Sequence, residues 1–383
     1  MKRRSFLKIA GGIAAGCTLG VRPVGGSVKS NSQGEAVAGL PRRLLGRTGQ
    51  KVSIVGFPGL ALSHYEQDRC NAGIREAFER GINYFDVAPA YGKDGECEIK
   101  MGIGLQGIDR SRIFLACKTK MRDKEGAREE LERSLKRLKT DYFDLYQLHH
   151  ICTPEEVKQA LAPSSASDYS DYFDPYETGS TRTPDKVRQA LRSGGAMETF
   201  LKAKEQGKVR YLGFSAHTTK GALEAMRNFR FDTVMFPINF VEFFQLGFGK
   251  AVLELADKQG AAVLAIKPLS KGPWPQGAKR TRKWWYRATE TQEEVDLAMR
   301  FTLSQKGVVA GIPPSFLDLL DKAIEAGRSY RPITEAETQK LQEMAKTCES
   351  LFLREEQRVA RGESLHKPIY PDSPHECCCG AYA

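Results

Sequence analysis

Four side chains near the ends of apolar runs carry groups suited to placing a proton on an oxygen that is gaining negative charge: Asp86, Tyr91, Lys118 and His149. Asp86 closes the run Gly81-Ile-Asn-Tyr-Phe-Asp86, and Tyr91 follows in Asp-Val-Ala-Pro-Ala-Tyr-Gly92. Lys118 lies in Phe114-Leu-Ala-Cys-Lys118, and His149 ends Asp141-Tyr-Phe-Asp-Leu-Tyr-Gln-Leu-His149. A tyrosine with an ordinary pKa of about 10 exchanges protons poorly at neutral pH unless a nearby cation favours its ionised form. The set suits carbonyl reduction by hydride, which needs a donor against the carbon, an acid for the oxygen and stabilisation of the developing charge. From the residues alone two registers stay open, because Lys120 shares the parity of Lys118 and His150 adjoins His149.

The elements that must position these groups alternate. Strand-like runs occupy Val52–Phe57, Ile82–Val87, Ile113–Thr119, Tyr142–His149, Val209–Ser215, Thr233–Ile238, Ala262–Pro268 and Val308–Ile312. Between them lie helical patterns such as Asp68–Arg80, Gly126–Leu138, Ala196–Gln206, Lys220–Asn228, Gly249–Lys258 and Gln292–Gln305, with Gly81, Gly207 and Gly260 placed to stop helices. Strands separated by helices form parallel sheets, and this number of units predicts an α/β fold of the (β/α)₈ barrel type. An open doubly wound sheet is the alternative, disfavoured because no G-x-G-x-x-G follows the first strand. In a barrel the C-terminal strand ends open onto one face, which gathers the four groups. The expected organisation is an export signal and linker over residues 1–39, the barrel over 40–350 and a polar tail over 351–383. A polar insertion from Cys152 to about Thr183 follows the fourth strand on the active face.

A formal charge of +11 invites a nucleic-acid reading, but net charge speaks to solubility rather than fold, and no nucleic-acid-binding motif accompanies it. Part of the excess sits in Lys2, Arg3, Arg4 and Lys8, ahead of a weakly apolar, glycine-rich stretch. Paired arginines before Phe6-Leu7-Lys8 resemble a twin-arginine export signal, so the export machinery is an expected partner and the periplasm the expected location. Ala36-Val37-Ala38 is a candidate cleavage site, and Cys17 is a less favoured lipidation site. The stretch is too short and glycine-rich for a stable membrane span. The odd count of nine cysteines argues against a disulfide framework. The adjacent thiols Cys377–Cys379 lack second ligands at loop spacing, so no metal is expected.

These segments resemble the aldo-keto reductase family, whose members carry a G-x-x-x-F-D-T-A-x-x-Y-G segment, a strand-borne lysine and a D-L-x-x-x-H strand. The resemblance spans about residues 42–345 and includes Leu44-Leu-Gly-Arg-Thr-Gly49, Glu98 ahead of Gly102, and Gly213-Phe-Ser215. Exported bacterial members are the nearest in pattern, judged by Lys267-Pro-Leu-Ser-Lys-Gly-Pro-Trp274, Trp285-Tyr286 and Gly311-Ile-Pro-Pro314. The resemblance implies Tyr91 as proton donor, Lys118 lowering its pKa, Asp86 paired with Lys118, and His149 on the substrate oxygen, which selects Lys118 and His149 over their neighbours. It implies a nicotinamide cofactor, NADP(H) before NAD(H), and a small carbonyl or alcohol substrate. Cofactor contacts are implied for Ser215, Asn239, Pro268, Leu269, Lys271 and Ser315. This chain departs from the family at Ala216, Met235, Ile266, Pro314 and Leu320, where relatives carry amide, aromatic or phosphate-binding side chains. The departures leave room for a non-catalytic, nucleotide-sensing or partner-docking barrel. The basic segment Lys279–Arg287 is a candidate clamp for the cofactor's phosphates.

Overall fold

Short parallel strands buried on both faces set the architecture. The computed structural model describes residues 35–161, 194–363 and 370. The twin-arginine segment, Cys17, most of the expected insertion after the fourth strand and Cys377–Cys379 lie outside the described residues. The barrel strands are β1 (Phe57–Pro58), β2 (Tyr84–Asp86), β3 (Phe114–Thr119), β4 (Phe143–Ile151), β5 (Val209–Ala216), β6 (Thr233–Pro237), β7 (Ala262–Ile266) and β8 (Val308–Ile312). They pair in parallel and in chain order within one 8-stranded sheet. The cylinder closes where Val55 bridges Gly311, with Gly56 N–H donating to Gly311 O at 3.1 Å and Gly311 N–H to Ile54 O at 2.9 Å. The molecule is a (β/α)₈ barrel, as the alternation predicts.

The period-two rule for strands divides its side chains. Phe114 and Ala116 of β3, Leu145 of β4, Met235 of β6 and Leu264 of β7 form a small apolar cluster with Tyr84 inside the barrel. Their neighbours Leu115, Cys117, Tyr146 and Leu148 join the larger cluster that includes the buried faces of the helices. Lys118 and His149 continue the inward parity of Ala116 and Leu145 toward the C-terminal rim. The helices begin where side-chain oxygens cap them: Asp123 accepts from Gly126 N–H, Thr218 from Gly221 N–H and Thr291 from Glu294 N–H. Gly260 closes the helix Lys250–Gln259 at φ 67°, a conformation in which a side chain is strained.

Three expectations change. Val52 to Phe57 is not one barrel strand: Lys51–Ser53 pairs antiparallel with Leu40–Leu44 below the barrel, and the chain enters β1 only at Phe57. The folded unit begins before residue 40, because Ala36–Val37 pairs with Leu40–Pro41. A cleavage after Ala38 would open that hairpin, which packs so closely on Gly81 that an added Cβ would lie 2.1 Å from Val37 O. The boundary at residue 351 also fails. Leu351 and Phe352 are each 1% exposed, and the helix Leu353–Ala360 buries Val359. Polar composition misled here because this helix hides a few side chains and shows water the rest.

Glu242 anchors that last segment. Its carboxyl accepts from Ser350 Oγ at 2.5 Å and from Leu351 N–H at 2.6 Å, and burial pushes its pKa up to about 7. Between its ordinary range and that value the folded chain keeps a proton that the unfolded chain releases. Stability therefore falls as pH rises from about 4.5 to about 7. Glu242→Gln removes the titration while keeping an acceptor for Leu351. Denaturant midpoints measured at pH 5 and pH 7.5 should lie closer together in the variant than in the parent, and equal spacing would refute the assignment.

Candidate active site

The strand register delivers the predicted groups to one rim. Asp86 stands opposite Ala116, Lys118 opposite Gln147, and Gln147 opposite Gly213, so Asp86, Lys118, His149 and Ser215 come from adjacent strand ends. Lys118 is fully buried; its Nζ pairs with the Asp86 carboxylate and lies 3.3 Å from both Val87 O and Tyr91 Oη. The rings of Tyr91 and His149 meet edge to face with centroids 5.6 Å apart. Lys120 follows β3 on the half-exposed rim, and His150, at φ 62°, turns away from His149. The backbone thus resolves both registers in favour of Lys118 and His149.

One electrostatic expectation is reversed. Burial, with the Asp86 carboxylate next in effect, pushes the Tyr91 phenol well above its ordinary value. The Lys118 ammonium favours the phenolate from 3.3 Å, but it is paired with Asp86, and desolvation of the phenol outweighs it. Tyr91 is consequently held in the protonated state that an acid must start from. Burial likewise raises Asp86, opposed by the Lys118 ammonium beside it.

Asp86, Tyr91, His149 and Ser215 open into a cleft whose walls include Ile266, Lys267, Trp285 and Pro313–Ser315. Ser215 Oγ accepts from His150 N–H at 2.8 Å, which leaves its own hydrogen to donate elsewhere. Ser215 and Ser315 both line this cleft. The side chains of the other four residues expected to contact the cofactor are engaged differently. Asn239 Oδ1 caps the helix Phe240–Leu246 by accepting from Glu242 N–H at 3.1 Å. Leu269 is wholly buried, Pro268 lies against Gly311, and Lys271 pairs with Glu294 at 2.8 Å. The combination of an apolar wall at Ile266, a free hydroxyl hydrogen at Ser215 and the acid at Tyr91 fits the nicotinamide end of a dinucleotide.

The basic segment is partly committed. Arg282 pairs with Glu290 at 2.7 Å and Asp318 at 3.2 Å, and its guanidinium stacks 4.6 Å from the Phe316 ring centroid. It latches the loop after β7 onto the helix Leu317–Arg328, while Leu320, where relatives place a phosphate-binding cation, is buried. Lys279, Arg280 and Lys283 are the further cations of this loop that phosphates would meet if the loop holds them. Changing these three to glutamine should weaken NADPH binding and flatten its salt dependence. Fluorescence titration at two salt concentrations reads this, and unchanged affinity would make the segment a solvated basic loop.

Sequence reasoning missed a second group of side chains behind the first. Lys267, at φ 55°, is buried at the end of β7; its Nζ is 3.1 Å from His217 Nε2 and 5.5 Å from the ring centroids of Trp285 and Phe352. Burial lowers its pKa to about 7. Glu355 reaches in from the helix Leu353–Ala360, accepts from Cys152 Sγ at 3.3 Å, and is raised by burial to about 7. A signal existed for Lys267 and His217: one interrupts an apolar strand end, and the other follows Ser215 with the same parity. Nothing local marks Glu355.

The fold and rim define a barrel with a buried lysine–aspartate pair against a phenol, an arrangement of one recognisable class. The Aldo/keto reductase family profile matches residues 57–349, and the chain belongs to that family. It is 25% identical to the oxidoreductase YqkF of Bacillus subtilis over 339 residues, covering 80% of this chain and 96% of that one. It is 40% identical to L-galactose dehydrogenase of Arabidopsis thaliana over 122 residues, a match spanning only 38% of that protein. Among solved structures, aldo-keto reductase AKR11C1 from Bacillus halodurans superposes with a TM-score of 0.58 at 23% identity, covering 83% of this chain and 99% of that one. An aldo-keto reductase from Klebsiella pneumoniae in complex with NADPH gives 0.55 at 17% identity, covering 80% and 96%.

Proposed function

We propose that this barrel is an oxidoreductase that reduces an aldehyde, ketone or sugar-like carbonyl with NADP(H) in preference to NAD(H), and that Tyr91 is its general acid. The observation carrying this reading is the contact of Tyr91 Oη with Lys118 Nζ at 3.3 Å, beside Asp86 and facing His149. A bound nicotinamide dinucleotide supplies the hydride. Tyr91 gives its proton to the substrate oxygen, and Lys118 stabilises the phenolate left behind. Asp86 holds the ammonium against a lumen that would otherwise desolvate it, and His149 orients the oxygen. Family membership and the NADPH-bound relative support the cofactor, and the dehydrogenase relative supports a sugar-like substrate.

The test is NADPH oxidation by the purified chain against a panel of aldehydes, ketones and aldoses, with mass spectrometry of the native protein for retained dinucleotide. Dinucleotide binding without turnover on any carbonyl would favour the sensor reading. We also propose that the chain is exported in folded form, on the strength of Arg3-Arg4 ahead of Phe6-Leu7. Arg3→Lys with Arg4→Lys should leave the precursor in the cytoplasm, and efficient delivery of that variant to the periplasm would sink the twin-arginine reading.

A further inference from the structure

Behind the catalytic rim, four metal-ligating side chains meet from three separate elements. His150 and Cys152 come from the end of β4 and the turn after it, His217 follows β5, and Glu355 comes from the helix Leu353–Ala360. One ligand atom from each of His150, His217 and Glu355 lies within 4.8 Å of the others. Cys152 Sγ lies 3.3 Å from Glu355 Oε1 and 3.8 Å from His150 Nδ1. The rings of His150 and His217 meet edge to face with centroids 4.1 Å apart. We propose that His150, His217, Glu355 and Cys152 form a zinc site that clasps the C-terminal segment to the barrel rim beside the catalytic groups.

Geometry and charge both favour this ion. Bond lengths of about 2.0–2.3 Å place tetrahedral zinc ligands roughly 3.3–3.8 Å apart. The two measured thiol separations already fall in that range. Glu355 sits on an outer helix with its own side-chain torsions, and closing the remaining gap takes a contraction of about 1 Å from the 4.8 Å limit. Two imidazoles, a thiolate and a carboxylate are the borderline donor set that zinc takes. Their two negative charges cancel those of the ion, so the closed site is neutral as a unit. Binding releases the Cys152 proton to solvent. Entry is open, because His217 also lines the active cleft.

The site explains the placement of a polar helix over the ends of β4 and β5. Its direct test uses the full chain, stripped with EDTA, equilibrated with zinc sulfate, desalted and assayed by elemental mass spectrometry. The expected result is one zinc per chain. Glu355→Gln and His217→Ala should each weaken binding by more than about tenfold, at least the penalty seen when outer-shell partners are lost. Glu355→Gln is nearly isosteric on an outer helix and keeps the test meaningful if His217→Ala folds poorly. With cobalt as the probe, a thiolate charge-transfer band should appear and vanish in Cys152→Ser. Serine at Cys377, Cys378 and Cys379 should leave the zinc in place. Absence of bound zinc, or zinc that survives Glu355→Gln and is lost with the three tail thiols, would overturn the proposal.

Discussion

Replacing Tyr91 by phenylalanine is expected to lower kcat by about 10²–10⁴-fold, the usual contribution of one positioned acid. The substitution removes only the hydroxyl. The ring keeps its edge-to-face contact with His149 and its place 5.0 Å from Lys118 Nζ. The Asp86–Lys118 pair also stays closed, since it is made without Tyr91. Fold and NADPH affinity should therefore stay near those of the parent, which separates loss of chemistry from loss of binding. Steady-state kinetics on the best aldehyde, with NADPH titration of both proteins, measures the two quantities. Near-normal turnover would remove Tyr91 from the mechanism.

Lys118→Met should cost both activity and stability, through one cause. Lys118 is wholly buried, and its removal leaves Asp86 buried without its cation. Breaking such a pair from one side destabilises by about 3–5 kcal/mol. The double variant Asp86→Asn with Lys118→Met removes both charges and should recover much of that stability while remaining inactive. Lys120→Met, on the half-exposed rim, should change stability by no more than about 0.5 kcal/mol and leave turnover intact. Denaturant unfolding and turnover on the three proteins decide the matter. If only Lys120→Met abolishes activity, the register of β3 is misassigned.

Where the amino-acid pattern was legible, a local rule dominated. The helix Lys250–Gln259 stops at Gly260, as the glycine there predicts, because glycine takes φ 67° without strain. Asp86, Lys118 and His149 were readable as strand-end groups, but the choice of Lys118 over Lys120 and of His149 over His150 came from the family resemblance. Tyr91 was readable through its spacing from Asp86, yet its electrostatics were not. The strength of desolvation at the phenol depends on how tightly Asp86 and Lys118 close, which no spacing reports. The segment 351–363 was illegible for a different reason: its few buried contacts, Phe352, Glu355 and Val359, are made to residues far away in the chain. The engaged side chain of Lys271 belongs to the same category, since its partner is Glu294 in a later helix.

The attachment of Phe352 and Glu355 to the rim has a consequence for timing during synthesis. The Phe352 ring lies 5.7 Å from that of His217 and 5.2 Å from that of Phe248, and Glu355 touches Cys152. All of these partners are translated earlier than the residues that cover them. A nascent chain that has already emitted β8 still has an unfinished wall behind its cleft. Only after the ribosome has passed residue 355 can that wall seal, so the first turn of this helix completes the rim. Chains truncated by premature termination would present an open, poorly packed rim to proteases and chaperones, and would be sorted from finished ones by that exposure alone.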